Sequence, residues 1–170
     1  MSIQHAPSAE GTVVLGPGEG HHLSFLNNLA TVKLSAGEQG SMSVVEFLAP
    51  KGFGPPEHRH NDEDELFIVL DGDLRFFTGG EQFVGGEGSF AHLPRAIPHT
   101  FQVLTESARF LNVTAGPAPR FDAMVRALGE PTDIVALPEP GYIDPSRVAE
   151  VCAAHGIDIL GPPPPPPGDS

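Results

Sequence analysis

A chain of 170 residues has room for one ordinary domain with short appendages. Its formal charge of −13, from 22 acidic against 9 basic residues, repels phosphate backbones and anionic lipid surfaces, which excludes nucleic acid and membrane surfaces as expected partners. Apolar residues make up 39%, while Gly (20) and Pro (19) together exceed a fifth of the chain, a balance that favours many turns and an all-β body over long helices.

The single cysteine, Cys152, excludes an internal disulfide and any zinc ribbon or redox CxxC pair, and suits a reducing cytoplasm. Residues 1–20 lack the basic start and apolar run of a secretory signal, and no stretch reaches the ~20 apolar residues needed to cross a bilayer. The expectation is a cytoplasmic protein.

The first twenty residues, Gly/Pro-rich with one apolar run from Thr12 to Leu15, read as an arm able to add a strand. Residues 21–116 form the expected barrel, with short apolar segments separated by turn signals at the spacing of sandwiches and barrels. The expected strands are His22–Phe25, Ala30–Leu34, Met42–Leu48, His58–His60, Glu65–Leu70, Asp73–Thr78, Glu81–Phe83, Ser89–Leu93, His99–Leu104 and Arg109–Thr114. Asp71-Gly72 and Thr78-Gly79-Gly80 are tight-hairpin sequences, so the sheets are expected to be antiparallel.

Residues 117–160 change character. Phe121, Met124, Val125 and Leu128 fall at helical spacing before Gly129. Pro145 to Ala154 repeats the style, behind Asp144 as N-cap and ahead of Gly156. Two short helices capping the barrel are expected. The remainder, 161–170, holds the run Pro162–Pro167, which has no backbone donors for a sheet and is expected to be extended and disordered.

Within the barrel region, His58 and His60 are one residue apart and, on a strand, point the same way about 6.6 Å apart along the backbone. Two imidazoles so placed are able to converge on one ion. Glu65 then shares a strand face with Phe67 and Val69, and a carboxylate turned toward an apolar interior is costly unless it is paired, protonated or bound to metal. His99, after the turn Pro94-Arg95-Ala96-Ile97-Pro98, opens a later strand that reaches the same interior. Taken singly, each has an ordinary reading: an exposed strand edge, an acidic loop, a capped turn. Glu63 and Asp64 replace Glu65 only if the loop register differs.

Together with their flanking residues these positions resemble the two motifs of the cupin superfamily. Gly52-x5-His58-x-His60-x4-Glu65-x6-Gly72 meets the first at every position. Gly88-x5-Pro94-x-Ala96-x2-His99-x3-Val103 keeps the Gly, Pro and His of the second, with Ala96 where the family usually has Gly and Val103 where it often has Asn. The resemblance spans about Leu23 to Thr114. It implies an all-β double-stranded β-helix, or jelly roll, with His58, His60, Glu65 and His99 as ligands of one divalent transition metal inside. Imidazole and carboxylate suit Fe, Mn, Ni, Co, Cu or Zn, and ligand type alone does not choose among them.

Within cupins, Asn28-Leu29-Ala30-Thr31-Val32-Lys33, Leu48-Ala49-Pro50 and Gly156-Ile157-Asp158-Ile159-Leu160-Gly161-Pro162 are similar to the single-domain, quercetin dioxygenase-like subgroup. That likeness implies a dioxygenase of flavonol, phenolic or polyketide-like aromatic compounds, with dioxygen as co-substrate and Glu65 as both ligand and base. Phe67, Phe76, Phe101 and Phe110, with Met42 and Leu93, are expected to line an apolar substrate pocket, with His92 beside the metal site. A non-redox cyclase, isomerase or lyase using the metal as Lewis acid is the alternative, and a non-catalytic binding protein the third reading. A homodimer is expected, as is common among similar single-domain cupins, with the arm adding a strand across a two-fold axis.

Overall fold

A computed structural model describes residues 11–37 and 41–168. Ten of its strands are those expected, with ends moved by one or two residues: β1 (His21–Phe25), β2 (Asn28–Leu34), β3 (Met42–Pro50), β4 (His58–His60), β5 (Asp64–Asp71), β6 (Leu74–Thr78), β7 (Glu81–Gly85), β8 (Phe90–Leu93), β9 (His99–Val103) and β10 (Ser107–Ala115). Helices α1 (Phe121–Leu128) and α2 (Pro145–Ala154) follow, with two further strands, β11 (Glu130–Pro131) and β12 (Ile157–Ile159), that alternation did not reveal because they are two and three residues long.

The strands build two antiparallel sheets, ordered β11-β1-β2-β3-β10-β5-β8 and β12-β4-β9-β6-β7. This is the all-β jelly-roll arrangement expected. Alternation decides what lies between the sheets. On β5, Glu65, Phe67 and Val69 turn inward while Ile68 is exposed; on β10, Phe110, Asn112 and Thr114 turn inward. Phe67 stands at the centre of an aromatic core, with ring centroids 5.1 Å from Phe101, 5.3 Å from Phe76 and 5.6 Å from Phe110. Such pairs contribute about 0.5–1.5 kcal/mol each beyond the area they bury.

The hairpin between β5 and β6 turns at Gly72, whose φ of +79° and whose closeness to the Ser107 carbonyl leave no space for a Cβ. In the second motif Ala96 adopts φ +65°, the left-handed conformation that glycine accepts most readily, so the turn keeps its shape although the residue differs. Its N–H donates to the His60 carbonyl at 2.7 Å, tying the turn to β4.

Helix α2 starts as expected: the Asp144 carboxylate accepts from the Ser146 N–H at 3.0 Å with Pro145 in the first turn. Helix α1 has no capping side chain of its own at Arg120. Phe121, Met124 and Val125 of α1 and Val148 and Cys152 of α2 bury against the barrel.

Residues 11–20 contain no strand, and the first ten residues of the expected arm lie outside those described. The proline run is extended, as its composition dictates, but its first residues are packed. The Glu57 N–H donates to the Pro162 carbonyl at 3.2 Å, and the buried Gln102 side chain donates to the Pro165 carbonyl at 2.6 Å. Gly54 lets the strap approach: a Cβ there would collide with the Phe101 carbonyl and sit 3.1 Å from Pro164 Cδ.

Candidate metal centre

Four inward side chains meet at one end of the barrel. β4 presents His58 and His60 on one face, and its neighbours fix that face: His58 pairs with His99 on β9 and with Ile159 on β12, and His60 with Ile157. Glu65 enters from β5. His58, His60, Glu65 and His99 are 7%, 1%, 3% and 1% exposed, and each offers a ligand atom within 4.8 Å of the other three.

The second ring nitrogens explain the orientation. His58 Nδ1 lies 2.7 Å from the Pro56 carbonyl, His60 Nδ1 2.8 Å from Glu63 Oε1 and His99 Nδ1 3.0 Å from the Ile97 carbonyl. All three acceptors require a proton on Nδ1, which leaves each Nε2 for the common centre, the arrangement by which outer partners fix metal-ligating histidines. His60 Nε2 is buried without a hydrogen-bond partner, 3.5 Å from Glu65 Oε2. An orphaned nitrogen facing a carboxylate and two further imidazoles fits a divalent transition ion.

Glu65 is engaged at both oxygens: Asn112 Nδ2 donates to Oε1 at 2.5 Å, and Oε2 lies 2.8 Å from His99 Nε2, the nitrogen left for the common centre. Burial pushes this carboxyl up, but the neighbouring His60 and His99 imidazoles hold it below the usual carboxylate range. Burial, reinforced by His99, lowers His58 from 6.5 to about 4. Burial also acts downward on His60, yet the Glu65 and Glu63 carboxylates raise it above its ordinary value. The pocket thus holds an ionised carboxylate and a neutral His58, the states in which both groups ligate.

Two residues of this centre were not singled out by sequence. Asn112 was one more inward position on β10. Glu63 was considered only as a substitute for Glu65; it is 2% exposed and its second oxygen accepts from the N–H groups of Arg120, at 2.9 Å, and Phe121, at 3.4 Å. It therefore caps α1 from a distance, and the signal for it lay in the missing N-cap at Arg120. Asp64 points away, paired with Arg95 at 3.0 Å on the surface and held down to about 2 by it.

A cavity of about 560 Å³ opens on the cluster, within the ~300–1,000 Å³ of sites for drug-sized ligands. Phe101 and Phe110 line it, joined by Phe25, Phe47, Phe53 and Phe121. Phe67 and Phe76 are buried behind that wall and do not line it, because the Phe101 and Phe110 rings stand in front. His92 is exposed: on β8 its neighbour Leu93 takes the inward position and His92 pairs beside Leu66 on the outer face. Met42 is also exposed, at the first position of β3, whereas Leu93 is in the core. Cys152 lines the cavity, its thiol pushed up to about 11 by burial and so protonated.

Fold and site together define a cupin. Residues 44–114 match the family model described as the cupin domain, so this part of the chain is a cupin domain. Among individual proteins, the chain is similar to quercetin 2,3-dioxygenase of Bacillus subtilis (strain 168), with 27% identity over 157 residues, covering 91% of this chain and 46% of that protein. The chain thus spans about half the length of this curated relative. Among solved structures, KdgF from Halomonas sp. superposes with a TM-score of 0.50 at 17% identity, over 58% of this chain and 85% of that one. The cupin domain of Schizosaccharomyces pombe Cnp3 gives 0.49 at 14% identity, over 61% and 74%.

Proposed function

We propose that this chain is a metal-dependent dioxygenase that cleaves or oxygenates an aromatic compound of phenolic, flavonol or polyketide-like type. The observation that carries the reading is the direct opening of an aromatic-walled cavity onto His58, His60 and the ionised Glu65, whose ligand atoms converge with that of His99. Similarity to a quercetin 2,3-dioxygenase supports it. His58, His60, Glu65 and His99 would hold the ion.

When bound by these groups, a divalent transition ion would supply Lewis acidity toward a substrate oxygen and a path for electrons to dioxygen. The substrate's aromatic body lies against Phe101, Phe110 and Phe121, which exclude water and orient it by ring contacts. Glu65 takes the proton of the substrate's enol or phenol hydroxyl at Oε2, the oxygen that faces the imidazoles. Asn112 keeps Oε1 engaged, so the carboxylate offers one oxygen and stays in place during the transfer.

Oxygen-electrode traces of protein reconstituted separately with iron, manganese, nickel, cobalt and copper test the reading against a panel of flavonols and simple phenols. Oxygen uptake with at least one pair is expected, and it should collapse in Glu65→Gln. Conversion of the same compounds without oxygen consumption would instead identify Lewis-acid chemistry.

A further inference from the structure

The cavity wall is uniform in a way that bears on what it accepts. Apart from the Cys152 thiol, the only polar side chains on it are His58, His60, Glu65 and Asn112, all at the metal end; the rest are Phe, Leu, Ile, Met, Val, Pro and Gly. Among the described residues no Lys, Arg, Ser, Thr, Tyr or Gln lines it. A ligand carboxylate or phosphate would find no cation there, and a hydroxyl in the apolar part would lose water and gain no partner.

At the metal end the capacity for hydrogen bonds is countable. Three buried side-chain atoms among the described residues have no partner, and two belong to this wall: His60 Nε2 and Asn112 Oδ1. A metal ion would match the first. The second follows from Glu65: a carboxylate accepts only, so Asn112 must turn its NH2 toward it and leave its oxygen on the other limb of the amide. Glu65 Oε2 and Asn112 Oδ1 are then the two acceptors a ligand donor can use.

We propose, building on the aromatic-oxygenation reading above, that the ligand carries its polar atoms at one end. It has a metal-anchoring oxygen and one or two neighbouring hydroxyls, with an otherwise unsubstituted aromatic or aliphatic body. Polyhydroxylated flavonols such as quercetin, the compound in the relative's name, are poor ligands for this chain. Each additional hydroxyl that reaches the Phe- and Ile-lined part weakens binding about tenfold, while one left in water at the mouth is neutral.

Equilibrium binding separates this from its alternatives without requiring turnover. Zinc-loaded protein is titrated with 3-hydroxyflavone, with 3,5,7-trihydroxyflavone and with quercetin, which adds hydroxyls to both ends of the molecule, and the affinities are read by calorimetry. The expected result is tightest binding for 3-hydroxyflavone and at least a tenfold loss across the series. Affinity that is flat or rises with hydroxyl number would overturn the inference and leave the aromatic-oxygenation reading standing. Binding of none of the three, by protein shown to hold zinc, would overturn both.

Discussion

Glu63 Oε1 lies 2.8 Å from His60 Nδ1 while Oε2 of the same carboxylate accepts from the first amides of helix α1. One buried side chain therefore fixes the tautomer of a candidate ligand and anchors the helix that roofs the cavity. In Glu63→Gln one oxygen becomes an NH2 group, and either His60 or the α1 amides lose their acceptor. Metal affinity is expected to fall about 10- to 100-fold, the usual effect of removing such a partner. Competition between protein and a chelator for cobalt, followed by the cobalt absorption bands, measures it. Unchanged affinity would remove Glu63 from the centre.

The low pKa of His58 makes a statement about acid stability. The unfolded imidazole binds a proton near 6.5 and the folded one near 4, so between these values the unfolded state holds the extra proton. Stability contributed by neutral His58 is complete above about 6.5 and is lost as pH falls toward 4, by about 3 kcal/mol in total. His60, raised by its carboxylate neighbours, acts with the opposite sign, and Glu65 is depressed. The comparison of wild type with His58→Gln isolates the effect: in chelator-treated protein, urea midpoints of the variant should vary less between pH 7 and 4. An identical slope would count against burial of His58 as a neutral base.

Ala96 occupies a left-handed backbone position at φ +65°. For a residue with a Cβ that conformation costs roughly 1–2 kcal/mol, partly offset in glycine by the greater freedom of its unfolded chain. Ala96→Gly should raise stability by about 0.5–1 kcal/mol and leave metal binding unchanged, because the hydrogen bond from its N–H to the His60 carbonyl is a backbone one. Thermal unfolding gives the sign. A lower Tm would show that the turn is not strained.

Gln102 is 1% exposed and spends its amide on the Pro165 carbonyl. Replacing it with Leu removes the donor and leaves the strap held by the Glu57 backbone hydrogen bond and by packing at Gly54, at a cost of about 1 kcal/mol. The clearer sign lies in access: Pro162 and Pro163 line the cavity, so Gln102→Leu, and more so deletion of residues 162–170, should speed ligand release. Stopped-flow dissociation of 3-hydroxyflavone from zinc-loaded protein measures this, and equal off-rates would mean that the strap does not control the mouth.

Which parts were legible follows from how far each determinant reaches along the chain. The period-2 runs, the Gly72 turn and the Asp144-Pro145 start act over a few residues, and each appears within a residue or two of its expected place. His58, His60, Glu65 and His99 were legible as a set because their spacing and flanking residues resemble the two cupin motifs, with strand alternation giving the direction of each. Closeness to the second motif did not reveal that His92 faces outward, where the inward neighbour is Leu93, and aromatic content alone did not separate the cavity wall from the core behind it at Phe67 and Phe76.

The sequence by itself therefore determined the barrel and its two helices, since local periodicity and turn chemistry are written in neighbouring residues, and, through the resemblance to the cupin motifs, the four side chains able to surround an ion. Only the tertiary structure decided that Glu63 holds His60, that Asn112 holds Glu65, that β12 braces the paired histidines and that the proline run lines the cavity. Each of these joins residues that are brought together by chain closure, as with Arg120 and Gln102, or gains its meaning from what the fold packs around it. A buried acceptor or donor declares its partner only when water has been removed.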